Sequence, residues 1–306
     1  MLTCRSMAMH RTRGLRLAAA QLPGRAGPLA ERLERAERAV AQALDADLVL
    51  LPEAFLPGYR QLPGDEAQAR AARDWAAAAA RRHHRTVGVG IVGPQGSELF
   101  LAHPAGGTWR YLKRFPTFAE ARAWQMGAAP GLALTPLGRI GLVLCADLVQ
   151  PATWRALAGK VDLVLVAAAW TDYGGRRQRL SPLGRAFVGP WMDRSPLHRD
   201  QLLTSAAQAL RVPLVYANAT GLLDPSGAPS GELEGFDGGS RILDGQGQVL
   251  DRVRSGEGLA SAEVELGPVP GGVPRPPGHP LHWRVFSAVH RAAAKLRRVG
   301  RGSVGG

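Results

Sequence analysis

The amino-acid sequence predicts an α/β protein, because short β-rich runs alternate along it with alanine-rich helical runs. Its 306 residues allow one large domain or two small ones. Hydrophobic residues make up 45% of the chain and charged residues 21%, which is typical of a globular protein. The longest apolar runs, such as Val161–Trp170, are shorter than the ~20 residues that a membrane span needs. We therefore expect no membrane partner.

The first half of the chain predicts one αβ unit followed by a second helix and a group of strands. After Asp47, every residue of the run 47–51 is apolar, with no alternation of polar and apolar residues. Such a run indicates a strand that is buried on both faces. The amphipathic run 28–44 has leucines on one side and charges between them, which indicates a helix. The predicted strands are Leu15–Gln21, Asp47–Leu51, Thr86–Val92, Glu98–Ala102 and Thr108–Leu112, and the predicted helices are Pro28–Leu44 and Asp65–Arg82.

The second half continues the same pattern and then changes composition. We expect strands at Arg139–Leu144, Val161–Ala167, Pro213–Asn218, Ser240–Leu243, Val249–Val253 and Ala260–Val264, with helices from about Pro151 and over Leu197–Leu210. Tyr173–Pro190 is predicted to be a long loop. Gly267–Pro280 is rich in glycine and proline, which predicts a linker to a basic helix, His282–Arg298. The predicted units are an extension at 1–13, one domain at 14–266 and a C-terminal segment at 267–306.

Positive charge is concentrated at the two ends of the chain. The net charge is +13, yet residues 1–30 and 266–306 contain twelve of the 38 basic residues and no acidic residue, so the body of the chain is nearly neutral. No nucleic-acid-reading motif accompanies the basic ends, so we expect solvated charge and no specific nucleic-acid partner. Two cysteines, Cys4 and Cys145, cannot form a disulfide framework, and a reducing cytoplasm is the expected location.

Several familiar motifs are missing or out of context. The string GVGIVG at 88–93 has its glycines inside a predicted strand, whereas the dinucleotide fingerprint needs them between a strand and a helix. The sequence contains no G-x-S-x-G serine elbow. Its eight histidines lack cysteine or acidic partners at metal-ligand spacing. We therefore expect neither a cofactor nor a metal.

Three residues of complementary chemistry follow predicted strands. Cys145 comes directly after a buried strand, where backbone N–H groups and a helix dipole favour a thiolate. Glu53 follows the strand at 47–51, and Lys113 ends the strand at 108–112. Functional groups in open α/β folds gather at the carboxyl ends of strands. A thiol, a carboxylate and an ammonium are therefore expected at one edge of the sheet, although each of these residues alone has an ordinary structural explanation.

Taken in their order along the chain, the segments around Glu53, Lys113 and Cys145 resemble those of the carbon–nitrogen hydrolase, or nitrilase, superfamily. LVLLPEAFLPGY, YLKRFP and GLVLCADLVQPATWRALA resemble its glutamate, lysine and nucleophile segments. LVYANATG and FDGGSRILDGQGQVL resemble two later segments, and the resemblance spans roughly residues 14–266. Cys-x-Asp is closer to the amidase branches than to true nitrilases, which usually have Cys-x-Glu. Ala146 replaces a frequent aromatic residue, and the string before LVYAN differs from the family pattern.

The resemblance implies a four-layer α-β-β-α sandwich that hydrolyses a non-peptide C–N bond of an amide or N-carbamoyl compound. It implies that Cys145 attacks to form a thioester, that Glu53 is the general base, and that Lys113 and the backbone N–H of Ala146 stabilise the oxyanion. Glu120 matches a second family glutamate, although a solvated helix acid is the alternative. A homodimer or a higher homo-oligomer is expected by analogy.

The substrate pocket is less defined by the sequence. Tyr59, Trp170 and Tyr173 are its candidate residues, and four arginines in the loop 171–191 suggest an anionic substrate, unless they are ordinary surface charge. Three alternatives to amide hydrolysis stay open at this point. They are acyl transfer from the same thioester to an amine, nitrile hydrolysis, and a noncatalytic binding protein.

Overall fold

The computed structural model describes residues 13–25, 27–59, 64–117, 120–172, 181–182, 186, 195–222 and 235–267. The extension before residue 13, most of the loop Tyr173–Pro190 and the segment from 268, with its predicted basic helix, lie outside the described residues.

The first five described strands and the last described strand form one six-stranded sheet, which packs with two helices. The elements are β1 (Arg13–Pro23), α1 (Leu29–Gln42), β2 (Leu48–Leu50), α2 (Glu66–Arg82), β3 (Thr86–Gly93), β4 (Gly96–Ala102), β5 (Thr108–Leu112) and β14 (Gly258–Leu266). The strand order is β5-β4-β3-β2-β1-β14. The strand β2 pairs in parallel with its neighbours on both sides, while β4, β5 and β14 pair antiparallel.

The strands between β5 and β14 include six that form another sheet. The elements of this part of the chain are β6 (Leu132–Thr135), β7 (Gly138–Leu144), α3 (Pro151–Leu157), β8 (Leu163–Ala168), β9 (Thr171–Asp172), α4 (Ser195–Leu210), β10 (Leu214–Leu222), β11 (Gly235–Asp237), β12 (Arg241–Leu243) and β13 (Val249–Arg252). The strand order of the sheet is β6-β7-β8-β10-β12-β13. Its central strands β7, β8 and β10 are parallel. Short 3₁₀ turns lie at Glu120–Arg122 and Cys145–Val149.

The two sheets join where the end of β1 pairs in parallel with the end of β10, at Leu22–Ala219 and Pro23–Thr220. Because β1 and β10 run in the same direction, the parallel strands of both sheets end at the same edge of the molecule. The short strand β11 pairs with β10 and β9 there. This shared edge is where both halves of the chain can contribute side chains to one site.

Alternation along the strands produces four layers. In β1, Leu15 and Leu17 point into a core between the sheets, while Ala18 and Ala20 pack toward α1 and α2. In β8, Leu165 lies in the inter-sheet core, and the alternate residues pack with α3 and α4. Both faces of these strands are therefore buried, which explains their unbroken apolar runs. The predicted α/β class and the α-β-β-α sandwich are confirmed.

Within the described residues, the predicted strands and helices appear, with ends that shift by a few residues. Three further strands, β6, β9 and β11, were not predicted from the sequence. β6 is an edge strand with two exposed leucines, Leu132 and Leu134, so it lacks the pattern of a buried strand. β9 and β11 contain two and three residues, and their pairing depends on the approach of distant segments. Among the described helices, none is long and apolar enough to cross a membrane.

We expect Leu165→Ala to lower the free energy of unfolding by about 2–5 kcal/mol, since it leaves a cavity in the inter-sheet core. Leu134→Ala is the matched control, because that leucine is 74% exposed, and it should change stability by no more than about 0.5 kcal/mol. Urea unfolding followed by circular dichroism measures both. Equal effects of the two substitutions would contradict the four-layer arrangement.

Candidate active site

Residues from both sheets meet at the shared edge. Glu53 lies three residues after β2, Lys113 directly follows β5, and Cys145 directly follows β7. The side chains of Glu53 and Lys113 are almost completely buried, as is that of Glu120. Charged groups are buried only when they are paired, so this cluster needs internal compensation.

The Lys113 ammonium is held between two carboxylates. Its Nζ donates to Glu53 Oε1 at 2.8 Å and to Glu120 Oε2 at 2.8 Å. Trp124 lies beside the same ammonium, with Nζ 5.6 Å from its ring centroid. Two negative charges thus face one positive charge in a buried space. The structure therefore brings Glu120 into the same cluster as the two predicted partners, and the alternative of a solvated helix acid is wrong.

The Glu53 carboxylate touches three further groups. Oε1 accepts a hydrogen bond from Ser97 Oγ at 3.1 Å, and Oε2 accepts one from the backbone N–H of Ala169 at 3.2 Å. The Cys145 thiol lies next to this carboxylate, close enough to lower its pKa. Glu53 therefore contacts both the sulfur and the ammonium.

Glu120 is fixed by a separate set of donors. Tyr59 Oη donates to Oε1 at 3.0 Å, and the backbone N–H of Thr117 donates to Oε2 at 2.7 Å. Tyr59 in turn packs edge-on against Trp124 and Phe236. The position of Glu120 is thus set by the loop after β5 and by an aromatic side chain.

Cys145 lies in a strained backbone conformation at the start of a 3₁₀ turn. Its φ is +40°, in the left-handed region that non-glycine residues rarely adopt. Such strain costs about 1–3 kcal/mol and persists only where the surrounding structure holds it, which is typical of functional sites. The turn directs the chain sharply away from β7, so that the sulfur lies at the strand end beside Glu53.

The environments of the two glutamates shift their pKa values in opposite directions. Burial raises the pKa of Glu53, and the opposing attraction of Lys113 does not compensate for it. Burial also disfavours ionised Glu120, but Lys113 and the hydrogen bonds from Thr117 and Tyr59 lower its pKa overall. Glu53 is therefore the better proton acceptor in the cluster, while Glu120 stays ionised.

The pKa of Lys113 is well above its usual value, because the attraction of Glu120 and Glu53 outweighs the effect of burial. Its ammonium charge therefore persists across the physiological pH range. A permanent cation next to the sulfur can stabilise negative charge that develops during a reaction.

The surroundings of Cys145 favour the protonated thiol over the thiolate. Burial raises its pKa well above the usual value, and the adjacent Glu53 raises it further, while Lys113 and the N–H of Ala169 act in the opposite direction. The helix dipole therefore does not by itself favour a thiolate at this position. The first true helix begins only at Pro151, and the local charge is dominated by two carboxylates.

Two of the three candidate pocket residues, Tyr59 and Trp170, lie among the described residues. Tyr59 contacts the charged cluster through its hydrogen bond to Glu120. Trp170 is buried and packs in the same apolar cluster as Cys145. The backbone N–H of Trp170 donates to Asn218 Oδ1 at 2.8 Å. Tyr173 and the arginines of the loop lie outside the described residues. Ala146 is buried directly after Cys145.

Sequence reasoning missed Ser97 and Trp124 as neighbours of the cluster. Ser97 reaches Glu53 only through the antiparallel register of β3 and β4, which no local pattern reveals. For Trp124, the signal available in the sequence was its position four residues after Glu120. In the described part of the chain, no group of three histidine, cysteine or acidic side chains is arranged to hold a metal ion.

Comparison with known proteins gives a consistent picture. The family model for carbon-nitrogen hydrolases matches residues 16–269. A solved amidase from Nesterenkonia sp. is 24% identical over 84% of this chain and 93% of its own, with a TM-score of 0.64. A cysteine-to-alanine variant of the Nesterenkonia AN1 amidase, described as belonging to the nitrilase superfamily, is 26% identical over 81% and 90%, with a TM-score of 0.65.

Another structure of that cysteine-to-alanine variant contains butyramide, with 25% identity over 81% of this chain and 90% of its own and a TM-score of 0.62. A search among curated protein sequences finds no match for this chain.

We expect the Cys145 thiol to stay protonated at neutral pH, because burial and two neighbouring carboxylates raise its pKa well above the usual value. The ultraviolet absorbance of the thiolate, taken as the difference between the native protein and Cys145→Ala, isolates this sulfur, since Cys4 and the tyrosines cancel. A thiolate midpoint below about pH 7 would contradict the charge arrangement described here.

Proposed function

Because the chain belongs to the carbon–nitrogen hydrolase family, we propose that this hydrolase cleaves the C–N bond of small amides or N-carbamoyl compounds through a Cys145 thioester. The resemblance to the carbon–nitrogen hydrolase superfamily noted in the sequence is thereby confirmed.

The observation that carries the proposal is the contact of Glu53 with both the Cys145 thiol and the Lys113 ammonium. A nucleophile, a base with a raised pKa and a cation share one buried cluster. This set matches what acyl transfer to sulfur needs, namely removal of a thiol proton and stabilisation of an oxyanion.

Acylation begins as Glu53 takes the Cys145 proton while the sulfur attacks the substrate carbonyl carbon. The S–C bond forms, and the carbonyl electron pair moves to oxygen. Protonated Glu53 then gives the proton to the departing nitrogen, the C–N bond breaks, and ammonia or an amine leaves. A thioester on Cys145 remains, and Glu53 is ionised again.

Deacylation uses the same carboxylate. Glu53 takes a proton from water as the water oxygen attacks the thioester carbon, which forms a second tetrahedral intermediate. Collapse breaks the C–S bond and releases the carboxylic acid, while the proton on Glu53 returns to the sulfur. The net reaction consumes one water and regenerates the thiol.

Lys113 and the backbone N–H of Ala146 are the proposed oxyanion donors. The ammonium is held in place by Glu53 and Glu120 before the reaction, so it needs no reorganisation when negative charge develops. The first backbone N–H groups of a helical turn have no hydrogen-bond acceptor within that turn. The N–H of Ala146 is one of these groups, so the turn itself does not occupy it. Each donor is worth on the order of 3 kcal/mol.

Glu120 keeps Lys113 charged throughout the cycle. When Glu53 is protonated, one of the two counter-charges of Lys113 disappears, and the remaining one is Glu120. The ion pair with Glu120 therefore holds the ammonium in position while Glu53 carries the proton.

Small amides are the proposed substrates. The butyramide bound by the Nesterenkonia amidase supports this choice, and so does the acrylamide adduct on the active-site cysteine of a variant of that enzyme. The proposed anionic substrate depends on loop arginines outside the described residues. A cytoplasmic location and a homo-oligomer remain part of the proposal, and the single buried sulfur of the site is compatible with a reducing compartment.

We expect Cys145→Ala to lower kcat/KM for butyramide by at least about 10³-fold, because no other group can form the thioester. Glu53→Gln should lower it by about 10²–10⁴-fold through loss of the base. Ammonia release from butyramide, N-carbamoyl-β-alanine and butyronitrile measures activity and separates the amide, carbamoyl and nitrile alternatives.

Glu257→Gln is the matched control, since Glu257 is a partly exposed carboxylate paired with Arg35 at the surface. It should keep nearly full activity. Turnover by Cys145→Ala at the native rate would refute the thioester route, and absence of turnover by the native protein on every compound would favour the noncatalytic alternative.

Hydroxylamine should divert the proposed thioester to a hydroxamic acid in proportion to its concentration, because both nucleophiles attack the same intermediate. We expect the free acid to be the main product without an added amine. The ratio of free acid to acylated amine, measured by mass spectrometry with water alone and with candidate amines, distinguishes hydrolysis from acyl transfer. Preferential acylation of an amine at millimolar concentration would favour the acyltransferase alternative.

A further inference from the structure

We propose that Asp147 is a positioning residue that holds the Lys113 segment against the turn that carries Cys145. This inference rests on the proposed function. Asp147 lies two residues after Cys145, and its side chain is completely buried. Its carboxylate accepts hydrogen bonds from Tyr111 Oη at 2.7 Å, from the Phe115 N–H at 2.9 Å and from the Leu144 N–H at 3.2 Å.

These three donors come from two different sheets. Leu144 is the last residue of β7 and immediately precedes Cys145, so its bond closes the strained turn of the nucleophile. Tyr111 and Phe115 lie two residues before and two residues after Lys113. A single carboxylate therefore binds the backbone next to the sulfur and both flanks of the lysine.

Few other contacts hold the Lys113 segment on the side that faces the turn of Cys145. β5 is an edge strand, and Tyr111 is its one buried residue. The Lys113 backbone bonds only toward its own sheet and the following loop, through Ser97 O at 3.0 Å and the Gly127 N–H at 2.8 Å. Among the hydrogen bonds of the described residues, those of Asp147 are the ones that join segment 111–117 to the turn 145–149.

The charge of Asp147 is used in hydrogen bonding rather than in an ion pair. No ion pair among the described residues includes it, in contrast to Glu53 and Glu120, which both contact Lys113 directly. A carboxylate oxygen accepts two or more N–H or O–H bonds, whereas the amide nitrogen of asparagine accepts none. Replacement of Asp147 by asparagine therefore keeps the volume of the side chain but leaves at least one of the three donors without its acceptor.

The test compares Asp147→Asn and Tyr111→Phe with Asp162→Asn. Asp162 is the matched control, because it also accepts a backbone N–H of β7, from Arg139 at 2.8 Å, but at the opposite end of the strand. We expect Asp147→Asn to lower kcat for butyramide by about 10²-fold with KM within about 3-fold, since a displaced Lys113 weakens the transition state more than substrate binding. Tyr111→Phe should give a smaller loss, and Asp162→Asn should leave both constants within about 2-fold.

A purely structural loss has a different signature. It would follow the folded fraction and recover when trimethylamine N-oxide restores stability, whereas a displaced lysine is not corrected by an osmolyte. A loss of kcat in Asp147→Asn that the osmolyte reverses, or an unchanged kcat, would overturn the positioning assignment.

Hydrogen–deuterium exchange of the segment 109–117 tests the same inference without catalysis. We expect its exchange to accelerate in Asp147→Asn and Tyr111→Phe and to stay at the native rate in Asp162→Asn. If the native protein hydrolyses no amide, the proposed function fails while this measurement still decides on Asp147. Exchange that is unchanged in Asp147→Asn would overturn the inference.

Discussion

The site depends on one buried ammonium that faces two buried carboxylates. Lys113 compensates Glu53 and Glu120 together, so a full negative charge remains within the cluster and the neighbouring thiol keeps its proton. In the proposed mechanism, this excess charge makes Glu53 a base and delays thiolate formation until the substrate is present. Nucleophile activation and oxyanion stabilisation then both follow from the same three charges.

The fold places these charges together by joining two sheets in the same direction. Glu53 and Lys113 come from one sheet and Cys145 from the other, and the parallel pairing of β1 with β10 aligns their strand ends. The sequence alone indicated this edge, because the buried strands were recognisable as apolar runs and each functional residue followed one of them. The ordered resemblance to a known family then predicted the four-layer architecture, which neither composition nor periodicity establishes.

Other features could not be predicted from the sequence, because they depend on register and burial. Ser97 contacts Glu53 only through the pairing of β3 with β4, and the contact of Glu120 with Lys113 depends on how the loop after β5 folds back. The protonation state of Cys145 could not be predicted from its position after a strand, because that position shows only that backbone N–H groups are near the sulfur. The balance of neighbouring charges decides that state, and it is visible only in three dimensions.

Rapid-quench mass spectrometry of the protein mixed with butyramide tests directly whether the thioester forms. We predict a butyryl group on the peptide that contains Cys145, formed with release of ammonia and lost as butyric acid appears. A burst of ammonia and butyric acid with no acyl group on Cys145 at any time, under conditions in which hydroxylamine also traps nothing, would contradict this prediction.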